Sequence, residues 1–178
     1  MVDLSKFNND TFKRGAPAVK ELLWRMVQQG FFNAEWITAY GLKSRILRGF
    51  GAQLGAGVVV KPKAKITFPW KLSVGSNSWI GEEAWLLNLD HIKIGSNVCI
   101  SQRSFLCTGS HDWSKESFDL ITKPIIIEDS AWICADVFIG PGVTVGEDSV
   151  VTAGSVVNKD LPSGMICSGN PCVAVKKR

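Results

Sequence analysis

Residues 125–157 read IIIEDSAWICADVFIGPGVTVGEDSVVTAGSVV. Taken in steps of six from Ile127, the positions are Ile127, Ile133, Ile139, Val145, Val151 and Val157. Two residues before each stand Ile125, Ala131, Val137, Val143, Ser149 and Ser155, all small or β-branched after the first. Gly140 and Gly146 directly follow Ile139 and Val145. A period of six is neither the 3.6 of a helix nor the 2 of an alternating strand. It fits a chain that turns a corner every six residues, with one aliphatic per side pointing inward. Glycine near the corner permits backbone angles that a Cβ opposes. Three sides close a coil of about 18 residues, and stacked coils form parallel strands about 4.8 Å apart. An antiparallel sandwich is the alternative, but its strands rarely keep a strict six-residue phase.

Upstream the same signal continues with interruptions. Val74, Ile80 and Leu86 form one series, with Gly75 and Gly81; Ile94, Ile100 and Leu106 form the next, with Gly95. The step from Leu86 to Ile94 inserts two residues, and the step from Leu106 to Ile127 is one coil plus three. Val60 and Ile66 start the coils near residue 58. The expected organisation is a cap over 1–55, a repeat over 56–162 with an insertion at 107–126, and a tail over 163–178.

Before residue 55 the period is absent. PAVKELLWRMVQQG at 17–30 predicts a helix, with Pro17 early and Gly30 at its end. Val19, Leu22, Leu23, Met26 and Val27 form its expected core-facing side. Residues 34–49 predict a second helix ending at Gly49. One reading of this segment is a cap that shields the first coil from edge pairing. The other is a basic aromatic surface, with Trp24, Phe31, Phe32 and Trp36, that rests on an anionic membrane.

Composition narrows the function classes. The chain has 178 residues, 46% hydrophobic and 20% charged, which excludes a disordered tail. No apolar run reaches the ~18 residues needed to span a bilayer. MVDLSKFNND lacks the basic start and apolar core of a signal peptide. Five cysteines (Cys99, Cys107, Cys134, Cys167, Cys172) without CxxC spacing argue against a zinc cluster or disulfide framework and for a reducing cytosol. Of the net charge of +4, residues 1–50 carry all: eight Lys/Arg against four Asp/Glu, with twelve of each beyond. A balanced body argues against a general nucleic-acid binder.

Only His91 and His111 offer a base that works near neutral pH. His91 lies where the repeat slips by two residues. His111 lies in CTGSHDWSKESFDLITKP, the longest excursion from the coils, where a solenoid can place non-repetitive chemistry. A backbone carbonyl, Glu116 or Asp119 are the candidates to orient its ring; the adjacent Asp112 is a poor one. Cys107 reads as a packing residue rather than a nucleophile. GAQLGAG at 51–57 has the wrong spacing for a phosphate-binding loop. A carbonic anhydrase centre needs three histidines, and the chain has two.

The run from residue 124 to the end, with P-I-x-I-x-x-x-x-W-I, PGVTVG, GSVV-x-KD-x-P and GNP, closely resembles the C-terminal half of the hexapeptide-repeat O-acetyltransferases. These include the maltose, galactoside and nodulation enzymes. DLSKF, the LLW segment, ITFPWKLSVG and ISQRSFLCTGSHDW resemble the colanic-acid biosynthesis acetyltransferases of exopolysaccharide clusters. The resemblance implies an all-β, left-handed parallel β-helix with a short helical cap and an extended active-site loop, assembled as a homotrimer. It implies acetyl-CoA as co-substrate, no metal, and a cleft between neighbouring subunits in which His111 is the general base. Trp132 matches the tryptophan bordering that cleft, and Ala135 and Ala153 match positions whose backbone meets the pantetheine arm. Asn158 and Lys159 stand where Thr-Lys lies near the nucleotide, and Lys176 where a terminal arginine contacts phosphate. Val173 replaces a frequent arginine, a loss for which Lys177 or Arg178 can compensate. Asn88 and Asp90 fall where acceptor-sugar ligands occur, and Trp113 is placed to stack on a sugar ring.

The expected activity is therefore O-acetylation of a sugar or exopolysaccharide precursor, lipid-linked acceptors included, by a cytoplasmic enzyme that can sit peripherally at the inner membrane face through residues 1–50. The alternatives are N-acetylation of an amino sugar, and a non-catalytic solenoid that binds a sugar or protein partner.

Overall fold

The computed structural model describes residues 1–10, 12–34 and 39–178. Trp36 and part of the predicted second helix lie outside the described residues. From Gln53 onward the chain winds as a parallel β-helix with three sheets. The first joins Gln53–Leu54, Leu72–Val74, Ile92–Ile94, Ile125–Ile127 and Thr144–Val145. The second joins Val59–Val60, Trp79–Ile80, Cys99–Ile100, Trp132–Ile133 and Val150–Val151, and the third Lys65–Ile66, Trp85–Leu87, Phe105–Cys107, Phe138–Ile139 and Val156–Val157. Every pairing between successive coils within these sheets is parallel.

The register shows how coil length varies. Gln53 pairs with Ser73 and Ser73 with Lys93, twenty residues apart each time. Ile126 pairs with Thr144, eighteen apart. The two extra residues of the early coils sit at the corner between the third and first sheets, where Pro69–Lys71 forms a tight turn. Between Lys93 and Ile126 the step is thirty-three, because the excursion leaves from this same corner.

The hexad aliphatics from Val60 to Val157 point inward, none more than 4% exposed. Their partners two residues earlier are buried too, from Val58 to Ser155. The serines are tolerated there because their hydroxyls donate to backbone carbonyls: Ser78 to Gly95, Ser104 to Cys134, Ser149 to Gly146.

The corners correct one expectation about glycine. At the corners that follow the first and second sheets, the left-handed residue stands three positions after the inward aliphatic and is usually not glycine: Lys63, Asn77, Glu83, Asn97, Arg103, Ser130, Asp136 and Asp148. The glycines directly after the aliphatics serve a different need. A Cβ on Gly75 would lie 2.5 Å from the Gly95 carbonyl carbon, and one on Gly146 would lie 2.4 Å from the Ser163 nitrogen. The next coil passes too close for a side chain.

Two helices, α1 (Ala18–Val27) and α2 (Tyr40–Gly49), close the first coil. Trp24, Phe32 and Leu47 join the core, and the Trp24 indole donates to the Ile66 carbonyl at 2.8 Å. The helical winding does not stop at Gly30. It continues as a wider turn through Phe32, closed by the Asn33 amide on the Gln28 carbonyl, and this carries Phe32 against Trp24 at 5.2 Å.

The expected core-facing side of α1 is also corrected. Val19, Leu22, Leu23 and Met26 are 68, 59, 51 and 64% exposed. The buried side carries Trp24 and Glu21 instead. Arg14 and Arg25 both grip the Glu21 carboxylate, and the Arg14 hydrogen bond holds it below the usual carboxylate range. A bulky indole and a paired acid outcompete four aliphatics for contact with the coil.

The tail is ordered. Met165–Gly169 extends the second sheet in parallel, and Cys172–Lys177 returns antiparallel along it. Among the described residues, no helix is long and apolar enough to cross a membrane.

Candidate active site

The excursion is a β-hairpin. Gly109–His111 runs antiparallel to Leu120–Thr122, with His111 opposite Leu120. The His111 ring is half-buried, and its Nδ1 lies 3.0 Å from the Phe118 carbonyl oxygen. A carbonyl oxygen only accepts, so Nδ1 carries the hydrogen of the neutral ring and Nε2 keeps a lone pair. The Phe118 ring stacks on the imidazole at 4.3 Å and 3°, and Phe7 packs at 5.7 Å and 57°.

Among the candidate orienters, the backbone carbonyl is the one that holds the ring. Asp119 binds Lys115 at 2.9 Å, and Glu116 binds Lys6 at 2.8 Å. Asp112 caps the hairpin turn by accepting from the Ser114 amide and hydroxyl, and the hydroxyl's hydrogen bond is the main cause of its lowered pKa. Hydrogen bonds from Ser117 and then Lys115 lower Asp119 in turn.

The N-terminal segment fastens the hairpin, a role with no local signal in the sequence. The Asp3 amide donates to the Glu116 carbonyl at 2.8 Å, and the Leu120 amide donates to the Asn8 carbonyl at 3.2 Å. Lys6 and Phe7 add the ion pair and the ring contact. DLSKF carries no local pattern for this role, because its partners lie more than a hundred residues away.

The remaining predicted positions scatter. Asn88 is fully buried, and its side-chain amide clasps the Phe68 backbone: Nδ2 donates to the carbonyl at 2.6 Å, and Oδ1 accepts from the amide at 2.9 Å. The expectation that Asn88 meets an acceptor sugar is not carried forward, since both groups are committed inside. Asp90 is half-buried and accepts from the His91 amide. Trp113 stands beyond His111 at 79% exposure. Cys107 is buried, with its thiol on the Gly109 carbonyl.

The positions matched to coenzyme A fall on different parts of the prism. Trp132 projects from the second sheet, its indole donating to Ser101 at 2.9 Å. Ala135 and Ala153 lie one coil apart at the corner between the second and third sheets, linked by the Gly154 amide on the Ala135 carbonyl. Asn158 and Lys159 are exposed at the corner between the third and first sheets, which is the hairpin's own corner. Lys176 lies on the returning tail strand, opposite Ile166. One chain therefore does not bring Ala135, Ala153 and His111 to a single edge. Among the described residues no cluster of His, Cys, Asp and Glu is arranged to hold a metal.

Comparison with known proteins decides the family. Over 178 residues the chain is 43% identical to the provisionally named colanic acid biosynthesis acetyltransferase WcaF of Escherichia coli strain K12, covering 100% of this chain and 98% of that one. The chain belongs to the hexapeptide-repeat acetyltransferases. Residues 124–159 match the family described as bacterial transferase hexapeptide (six repeats). Among solved structures, a maltose O-acetyltransferase from Clostridium difficile 630 is 31% identical, with a TM-score of 0.81, over 89% of this chain and 87% of that one. A hexapeptide-repeat acetyltransferase from Vibrio cholerae O1 biovar eltor, solved with acetyl-CoA, is 29% identical with a TM-score of 0.82, over 92% and 91%. As a hexapeptide-repeat acetyltransferase, this chain is an enzyme whose repeat forms the prism from which the hairpin projects.

Proposed function

We propose that this acetyltransferase moves the acetyl group of acetyl-CoA to a hydroxyl of a saccharide, an exopolysaccharide precursor by analogy with WcaF, with His111 as general base. The observation that carries the reading is the contact of His111 Nδ1 with the Phe118 carbonyl. It leaves Nε2 free to accept a proton. As the hydroxyl oxygen bonds to the thioester carbon, its proton passes to Nε2. The tetrahedral intermediate collapses, the C–S bond breaks, and the imidazolium returns the proton to the departing sulfur. Acid–base help of this kind contributes roughly 10²–10⁴-fold. Trp113, two residues after the base and exposed, is available to stack on a sugar ring.

The donor site in this reading lies between protomers of a homotrimer. Two features support that. Ala135 and Ala153 occupy a different corner from His111, so one pantetheine arm meets both only if two copies contribute. The outward residues also divide by face. The second sheet presents Val59, Trp79, Cys99, Trp132 and Val150, and the third presents Lys65, Trp85, Phe105, Phe138 and Val156. The first presents Gln53, Ser73, Lys93, Ile126 and Thr144. Two largely apolar faces and one largely polar face suit a ring in which the second sheet of one copy meets the third of the next. Trp132, Asn158, Lys159 and Lys176 would then serve the coenzyme.

A crystal grown with CoA tests the arrangement. The expected result is a pantetheine arm running from Ala135 and Ala153 of one copy to His111 of its neighbour. CoA bound within one protomer, or remote from His111, would contradict it.

A further inference from the structure

The four aliphatics on the outside of α1 need an explanation that the transfer chemistry does not provide. At 100° per residue, Val19, Leu22, Leu23 and Met26 fall on one stripe, diametrically opposite the buried Glu21 and Trp24. The helix thus packs on the coil with one side and presents its most apolar side outward. Scattered exposed leucines are ordinary, but a continuous stripe along a whole helix marks a partner.

The charges around the stripe say what kind of partner. Lys20 and Arg25 border it, one on each side, and Lys13 and Arg14 precede it; Lys20 leans its ammonium over the Trp70 ring at 5.1 Å, and Arg14 and Arg25 share Glu21, so the cluster keeps a net positive charge. Across residues 12–34 the only acid is Glu21, which is turned inward and neutralised between Arg14 and Arg25. The outward side of the helix therefore carries no carboxylate. The first fifty residues hold all of the chain's net charge of +4. An apolar stripe edged by cations, with the acid hidden, is the pattern of a helix lying in the plane of an anionic lipid surface. A second copy fits less well. Copies meeting stripe to stripe would bring their flanking Lys20 and Arg25 together, and the prism already offers two apolar sheet faces for self-association.

We infer that α1 docks this enzyme on an anionic bilayer through Val19, Leu22, Leu23 and Met26, drawn there by the net positive charge of the flanking segment, with Lys13 the exposed cation beside it. Docking of this kind would bring the enzyme to acceptors held at a membrane.

The test is flotation of the full chain with vesicles of phosphatidylglycerol and phosphatidylethanolamine, and with neutral phosphatidylcholine vesicles. The Leu22→Glu/Met26→Glu double variant is run beside the wild type. Both substitutions sit on the solvent side, so folding is checked simply by thermal midpoint and by mass from light scattering. The expected result is that wild type floats with the anionic vesicles, less with neutral ones and less at high salt. The variant should lose anionic-vesicle binding by on the order of tenfold or more, while its mass and its thiol release in free solution match wild type. Wild type that stays off anionic vesicles, or a variant that binds them equally well, overturns the inference. So does a variant with reduced mass, which would assign the stripe to a second copy. Flotation is read without any acetyl transfer, so an inactive but vesicle-bound protein would count against the proposed function alone.

Discussion

His111 Nδ1 and the Phe118 carbonyl oxygen stand 3.0 Å apart across a hairpin whose strands are joined by the segment between them. Because only the imidazole can donate, the contact selects one tautomer. At a pH where the ring is neutral, long-range ¹⁵N–¹H NMR should show Nδ1 protonated and Nε2 bare. The opposite tautomer would mean that the Phe118 carbonyl does not hold the ring and that the base faces the wrong way.

The N-terminal segment is expected to matter for rate more than for stability. Deleting residues 2–8 removes the backbone bonds to Glu116 and Leu120, the Lys6 ion pair and the Phe7 ring. None of these residues is in the core. Steady-state kinetics should show kcat lowered on the order of ten- to a hundredfold as the hairpin loosens, with the thermal midpoint little changed. Lys6→Ala alone breaks only exposed pairs, with Glu116 and Asp3, and should cost under about 1 kcal/mol with activity kept.

Asn88 is expected to behave as a structural clasp. Asn88→Ala leaves the Phe68 amide and carbonyl without their partners inside the protein, at a cost of about 2–4 kcal/mol. Chemical denaturation should show that loss, while the KM for a saccharide acceptor holds at a temperature where the variant is folded. Unchanged stability with a raised acceptor KM would return Asn88 to the binding site.

Lys43 gives a pH signature. It is fully buried in α2, its Nζ has no hydrogen-bond partner among the described residues, and it lies 5.7 Å from the centre of the Phe32 ring. Burial pushes its ammonium below the usual lysine range. Between that lowered folded value and the unfolded value near 10.4, the unfolded chain binds more protons, so stability from this group rises with pH through the window. Lys43→Met should add about 1–3 kcal/mol at neutral pH, an advantage that shrinks as pH climbs toward 10.4 in parallel denaturation curves.

The prism was legible because its period survives interruption: every hexad aliphatic from Val60 to Val157 lands inside. The hairpin was legible as a break in that period. What escaped were relations that no local pattern encodes. The helical period of α1 marked Leu22 and Met26 as inward, yet the coil is met by Trp24, whose indole finds the Ile66 carbonyl, and by Glu21 between two arginines. Gly75 and Gly146 read as corner residues because glycine permits unusual angles, whereas their reason is the backbone of the next coil. Asn88 looked like a ligand for sugar because polar residues at coil starts often are; its partner, Phe68, is one coil earlier. The Asp3 and Asn8 contacts depend on a fold that brings residue 3 to residue 116.

Release of free CoA thiol from acetyl-CoA with a saccharide acceptor, compared between wild type and His111→Ala, tests the central claim most directly. The account predicts a loss of roughly 10²–10⁴-fold in the variant, with CoA affinity and thermal midpoint retained. Equal rates in the two proteins would contradict it.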